Sequence, residues 1–192
     1  MRVPPASCWL HPSVVVRPSS IAGRGLFATA DLPTGTVVSR LGGRLVSTAE
    51  LAQVMRNADR YVDSIVVAED RHLLVASGEN RFGNHCCDPN LGWVDEYTLA
   101  TMVDVSAGQE LVSDYAMSTV DPDYVLRCHC PSYRCRQMVE GSDWRIPQLQ
   151  ARYHGWWVPY VQSLVDAVSA SPSARAGRPA APGRPPSSRR GP

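Results

Sequence analysis

Short apolar runs separated by turn residues fill the first two thirds of the chain. Val14-Val15-Val16 is a β-branched run and predicts a strand. Residues 19–28 read as a turn and a return strand, with Gly23 and Gly25 at the turn. Pro33-Thr34-Gly35 marks a further turn, Thr36-Val37-Val38 a further strand, and Gly42-Gly43 closes that unit. Residues 61–67 and 73–75 flank a polar connection and predict a hairpin; Trp93-Val94 and 98–105 predict another pair. Between these strands, Ser47-Thr48-Ala49-Glu50 has capping-box spacing, and Leu51, Met55 and Ala58 follow at helical intervals. A short helix is therefore expected over 48–58. Residues 122–126 read as one helical turn.

The pattern changes at residue 142. From there to 169 it is helical, in two pieces broken at Gly155 and Pro159. Leu149, Tyr153, Trp156, Trp157, Tyr160, Val161, Leu164 and Val168 form an apolar stripe that predicts packing against the body. Many short strands followed by helices point to a mainly β fold with a C-terminal helical addition. Residues 1–12 are a proline-broken arm without periodicity, and 171–192 contain only Pro, Ala, Arg, Ser and Gly. Such a segment buries too little to offset its ordering entropy and is expected to be disordered.

Composition narrows the class. A length of 192 residues suits one ordinary core. No apolar run approaches the ~18 residues of a membrane span, and prolines interrupt the N-terminus before a secretory apolar core forms. The chain is expected to be intracellular, cytoplasmic rather than nuclear, and not secreted. All 19 basic residues are arginine. Fourteen lie in 1–170 against 18 carboxylates, a balance of −4; the remaining five lie in 171–192 with no acid. The acidic body argues against a broad basic nucleic-acid surface, while the arginine-rich tail suits a salt-sensitive contact with an acidic protein or nucleic acid.

Four motifs carry candidate chemistry. Gly23-Arg24-Gly25-Leu26-Phe27-Ala28 matches a dinucleotide fingerprint, but Pro33 and Gly35 stop the helix that such a site needs. Arg81-Phe82-Gly83-Asn84-His85-Cys86-Cys87-Asp88-Pro89-Asn90 places fixed polar groups beside a turn. Gly108-Gln109-Glu110-Leu111-Val112-Ser113-Asp114-Tyr115 is a turn leading into a strand that ends on Asp-Tyr. Cys128-His129-Cys130-Pro131-Ser132-Tyr133-Arg134-Cys135 groups three of the six cysteines as a tetrahedral metal site would, with His129, Cys86, Cys87 and Cys8 as candidates for the fourth ligand. Without an export signal a disulfide framework is the weaker reading.

In this order, these motifs resemble those of the SET-domain family of protein-lysine methyltransferases with a post-SET zinc segment. The resemblance covers roughly 13–140. It implies a fold of small curled, β-clip-like sheets with a threaded pseudoknot. The chain then divides into an N-terminal arm (1–12), a SET domain (13–116), a post-SET zinc segment (124–140), C-terminal helices (142–170) and a disordered basic tail (171–192). The cysteine-rich pre-SET segment of some members has no counterpart in the arm.

The resemblance also implies roles. S-adenosylmethionine would lie against Arg24, Gly25 and Leu26 and against Asn84 and His85, with Arg81 and Phe82 shaping the site. Tyr115 would orient the cofactor and the acceptor amine, Tyr61 would wall the lysine channel, and Tyr133 would stack on the adenine. Cys128, Cys130 and Cys135 would hold a structural Zn2+ with Cys87, with Cys86 as the possible swap. Asp114 would anchor the threaded segment rather than act as a base. Ser113 stands where the family often has Phe or Tyr, which leaves room for more than one methyl group. The expected activity is transfer of methyl groups to the ε-amine of a lysine in a protein, a histone among the candidates. The alternative is a catalytically silent SET fold that binds proteins.

Overall fold

The structure, a computed structural model, describes residues 2–59 and 61–170. The expectation of a disordered tail over 171–192 lies outside the described residues.

The chain runs through β1 (Trp9–Leu10), β2 (Val14–Pro18), β3 (Arg24–Ala28), β4 (Val37–Arg40), β5 (Gly43–Val46) and α1 (Thr48–Arg56). It continues through β6 (Ser64–Ala68), β7 (Arg71–Val75), β8 (Asn84–His85), β9 (Leu91–Trp93), β10 (Thr98–Thr101) and β11 (Glu110–Ser113). It ends on β12 (Val125–Arg127), β13 (Met138–Glu140), α2 (Pro147–Arg152) and α3 (Pro159–Ala170). The architecture is mainly β with helices at the C-terminus, as expected.

β2 and β3 form the first hairpin, Val14 opposite Ala28 and Pro18 opposite Arg24. Gly23 makes its turn with φ +46°, a left-handed conformation in which glycine carries no Cβ penalty. The largest sheet runs β1-β4-β10-β9-β11-β3-β2. A separate sheet runs β5-β7-β6, and β12 pairs with β13 alone. The capping box at the start of α1 is formed: the Ser47 hydroxyl accepts from the Glu50 N–H at 3.2 Å, and Glu50 accepts from the Ser47 N–H at 2.8 Å.

One strand decides the arrangement. The first half of β11 pairs antiparallel with β3, Glu110 opposite Phe27 and Leu111 opposite Leu26. Its second half pairs parallel with β8, Val112 opposite Asn84 and Ser113 opposite His85, and touches β9 at Leu91. Asn90 locks this exchange: its amide donates to the Glu110 carbonyl and its Oδ1 accepts from the Val112 N–H, 2.8 and 2.9 Å.

Several elements depart from the sequence reading. The hairpin strand expected from residue 61 begins at Ser64, so Tyr61 lies in the loop before it. The helical turn expected over 122–126 is a tight turn instead, closed by Tyr124 N–H on the Asp121 carbonyl, and Val125–Arg127 is a strand because Met138–Glu140 offers it a partner. The proline-rich arm is joined to the sheet: Trp9 pairs with Arg40, the Gly43 N–H donates to the Pro5 carbonyl, and the Tyr97 hydroxyl donates to the Arg2 carbonyl. Residues 142–169 form three helical pieces, because Pro147 starts α2 anew after a 3₁₀ turn at Asp143–Arg145. The break at Gly155, φ +82°, is as expected.

The helical addition supplies much of the main core. Trp144, Leu149, Tyr153, Trp157, Val158, Val161 and Val165 are buried against Leu41, Val66, Leu73, Trp93, Ala116 and Met117. The 3₁₀ turn at Tyr115–Met117 is thereby covered by α2 and α3, with the Val158 N–H bonded to the Met117 carbonyl. Trp157→Ala is expected to cost about 3–5 kcal/mol, measured as the shift of the urea midpoint at constant slope. A loss below about 1 kcal/mol would show that the helices are an appendage.

Candidate functional site

Three of the four motifs meet at β11. The Asn84 side chain reaches across β3: its amide donates to the carbonyls of Ala22 and Arg24, 3.2 and 3.0 Å, and to the Glu110 carboxylate, 2.8 Å. Glu110 also accepts from the Ser19 hydroxyl at 2.9 Å. One carboxylate thus ties both ends of the Gly23-Arg24-Gly25 turn to the Asn-His segment. Gly25 leaves room for this carboxylate, which a side chain at this position would have to displace. Glu110 was legible only as the acid of Gly-x-Glu-Leu; its partner set depends on the register of β11 against β3 and β8.

His85 is buried and sits between two chain segments. Its Nδ1 accepts the Tyr115 N–H at 3.2 Å, and its Nε2 lies 3.3 Å from the Cys87 sulfur. Desolvation, partly opposed by Asp114, holds its pKa down at about 4, so the ring is neutral near pH 7. The His85 and Tyr115 rings meet edge to face, 5.2 Å between centroids.

The Tyr115 hydroxyl donates to the Gly83 carbonyl at 2.7 Å. Both groups line a cavity of about 560 Å³. Its wall near Tyr115 also holds Tyr61, Asp63, Ser113, Asp121 and Tyr124. Leu51 and Met55 of α1, with Ile65 and Val75, add apolar surface to its lining. Desolvation first, and then the neighbouring Tyr61, raise the Tyr115 and Tyr124 phenols above the ordinary range, so both remain protonated donors. Tyr61 is 75 % exposed as a residue. Its hydroxyl is nonetheless raised by desolvation and by Asp63, as befits a ring whose polar end faces the cavity. Asp63 and Tyr124 were not singled out in the sequence, where nothing marks them.

The Arg24 and Arg81 guanidiniums both stack on Phe82, 4.5 and 4.8 Å from its centroid, and Arg81 also lines the cavity. Neither is ion-paired with a described residue. Tyr133 is not brought to this group. It is 83 % exposed, and its near partner is the guanidinium of Arg134.

The sulfurs of Cys87, Cys128, Cys130 and Cys135 lie within 4.8 Å of one another. Four thiols converging from two distant segments are the donor set of a structural zinc site. Backbone N–H groups already point at these sulfurs: Arg136 at Cys87, 3.3 Å, and Cys130 at Cys128, 3.4 Å. Desolvation pushes Cys87 up to about 11. Cys130 is also desolvated, but N–H groups and neighbouring thiols bring it down to about 7. Cys86 is outside the four; its sulfur accepts from the Asp88 N–H at 3.4 Å.

A buried ion network joins this cluster to the rest. Asp114 is fully buried. Arg136 donates to both of its oxygens, 2.6 and 2.8 Å, and to Asp143 at 2.8 Å. The Tyr153 hydroxyl and the Ala116 N–H complete the Asp114 shell at 3.0 Å each.

Residues 23–116 match the SET domain family model. The chain carries a SET domain. Its relatives include the histone-lysine N-methyltransferase trithorax of Drosophila melanogaster, 30 % identical over 138 residues. Histone-lysine N-methyltransferase 2D of Homo sapiens is 26 % identical over 142 residues, and ash1 of Drosophila melanogaster, also a histone-lysine N-methyltransferase, 26 % over 148. The matches cover 63 %, 66 % and 67 % of this chain but only 4 %, 2 % and 6 % of those proteins. The β11 junction lies inside the SET domain, and the last three cysteines lie beyond its matched end.

Replacing Arg136 with Met leaves the Asp114 carboxylate buried without its cation. Arg136→Met is expected to destabilise the protein by about 3–5 kcal/mol, and adding Asp114→Asn should recover part of that loss. Urea unfolding of the three variants measures it, and a single variant within error of the parent would refute the network's role.

Proposed function

We propose that the chain is an S-adenosylmethionine-dependent protein-lysine methyltransferase whose C-terminal cysteine segment is a zinc-stabilised post-SET element. The observation that carries the reading is the β11 junction: the Gly23–Leu26 turn, Asn84-His85 and Asp114-Tyr115 meet beside a cavity with the Tyr115 hydroxyl in its wall. The homologues' activity supports it at modest identity.

S-adenosylmethionine, when bound, supplies a methyl group on a positively charged sulfur. The donor set suits it. Arg24 and Arg81 offer guanidiniums to an anionic carboxylate, and Phe82 an apolar surface. The Gly83 carbonyl and the Tyr115 hydroxyl present oxygens to the cationic end. Asn84 and His85 hold the strand and the turn in register, and the neutral His85 ring fixes the Tyr115 backbone. Tyr115 then orients the reacting groups, and Tyr61 and Tyr124 flank the channel through which a lysine side chain approaches. Ser113, small and half-buried in that wall, leaves space for a nitrogen that already carries methyl groups. A lysine-bearing protein is the substrate, and the acidic residues of the cavity, Asp63, Asp121 and Asp123, suit a basic segment.

Cys87, Cys128, Cys130 and Cys135 would hold the zinc, whose contribution is a cross-link between the Asn-His segment and the C-terminal segment. Cys87 rather than Cys86 belongs to the set.

Incubation with labelled S-adenosylmethionine and purified core histones tests the activity. Absence of transfer while the cofactor binds would favour the silent, protein-binding alternative. Tyr115→Phe is expected to lower kcat by about 100-fold with an unchanged melting temperature; undiminished turnover would defeat the assigned role. Elemental analysis of fresh protein is expected to give one zinc per chain. Cys87→Ser should lose it and Cys86→Ser retain it; the reverse pattern would exchange the two.

A further inference from the structure

Asp63 stands in the cavity wall immediately before β6, two residues after Tyr61. Its backbone is fixed, the Val75 N–H donating to its carbonyl at 3.0 Å. Its carboxylate is half-buried and receives no hydrogen bond or salt bridge from a described residue. Several other acids have donors: Asp70 accepts from Thr48, Asp104 from Thr34, Glu110 from Ser19 and Asn84, and Asp143 from Arg136. A carboxylate removed from water without a donor is costly unless something else comes to it. It also lies beside both phenols of the channel, since Tyr61 and Tyr115 each sense its charge.

We propose that Asp63 is the proton acceptor for the acceptor amine: its carboxylate pairs with the incoming ammonium and takes the proton that must leave before nitrogen can attack. This rests on the methyltransferase reading. In the step, an N–H bond breaks, its electron pair stays on nitrogen, and the proton forms an O–H bond with Asp63. A cationic and an anionic group become a neutral amine and a neutral acid, an exchange that a desolvated cavity favours.

The groups around Asp63 leave this task to it. Burial raises its carboxyl above the ordinary range and Arg81 opposes this, which brings it closer to a working base. Tyr61, Tyr115 and Tyr124 are held protonated and act as donors. Arg81 is a permanent cation. Asp121 accepts from the Asp123 N–H at 3.0 Å. Asp123 and Glu69 also line the cavity, but both are exposed to water whereas Asp63 is half-buried. His72 is bonded to the Thr48 hydroxyl at 3.0 Å.

The test compares the full chain with Asp63→Asn in two measurements. Calorimetry with n-butylammonium, the lysine side-chain end alone, reads binding without turnover. The variant is expected to bind it about tenfold more weakly and to bind n-butanol unchanged. Equal ammonium affinity in both proteins would overturn the proposal. Methyl transfer to core histones is then followed from pH 6 to 10. At pH 7 the variant should show kcat/KM lowered about 100-fold, and the gap should close as pH nears about 10.4, the ordinary lysine pKa, because the variant must wait for amine that is already neutral. A loss that stays constant with pH would make Asp63 a structural residue and overturn the base. Melting temperatures verify folding, and Asp63→Ser carries the same comparison should the Asn variant unfold. A wild type that binds ammonium through Asp63 but transfers nothing to histones would refute the methyltransferase reading and leave the cation site standing.

Discussion

The buried pair of Asp114 and Arg136 is the interaction on which the other parts depend. Asp114 directly follows the strand that gathers the motifs and caps the turn at Tyr115, and Arg136 follows the last of the clustered cysteines. Their two hydrogen bonds fasten the segment before Tyr115 to the cysteine segment, and the second arm of Arg136 fastens both to Asp143. Tyr153 adds a bond from α2. Separate stretches of chain converge on this buried pair, so displacing either partner would leave an unpaired ion in low dielectric. The position of Tyr115, next in sequence to Asp114, is set by that constraint from one side and by His85 from the other.

β11 performs the complementary task. A strand pairing with the same neighbour over its whole length would bring two motifs together. β11 exchanges an antiparallel partner for a parallel one midway, so it brings three. The carboxylate of Glu110 then bridges the two partners through Ser19 and Asn84, across the position where Gly25 has no side chain. Precision here comes from backbone pairing rather than from a loop, which is the condition for holding reacting groups at a fixed separation.

The charge distribution has a meaning in this setting. With no lysine in its 192 residues, the chain offers no side-chain amine to its own cavity. Three carboxylates, Asp63, Asp121 and Asp123, line the cavity. The arginines of the body serve instead as planar, permanently charged fasteners: Arg136 on two carboxylates, Arg152 on Asp88, and Arg24 and Arg81 both on the half-buried Phe82 ring.

Much of this was legible in the chain alone. β-branched runs between glycine and proline turns specified the β class, the capping box specified α1 to within two residues, and the apolar stripe from Leu149 to Val168 specified a helical face that packs inward, except that its last member, Val168, is exposed because the buried face of α3 passes through Val161 and Val165. The motif order identified the family, and three clustered cysteines identified a metal-type donor set. Local chemistry suffices for those, because caps, turns and periodicity act within a few residues. Other features had no local signal. Val125–Arg127 is a strand only because Met138–Glu140 lies beside it, and Trp9 joins the sheet only because Arg40 presents an edge. Tyr133 sits between two metal-type ligands in sequence yet faces outward. Arg136, Asp63 and Tyr124 look ordinary in sequence, and Glu110 is marked only as the acid of Gly-x-Glu-Leu; Arg136 meets Asp114 across 22 residues, and Glu110 meets Ser19 and Asn84 across 91 and 26. The choice of Cys87 over Cys86 depends on which face of one turn meets the cysteine segment. Long-range pairing settles these cases, since it is the tertiary structure that decides which charge, edge or sulfur each residue meets.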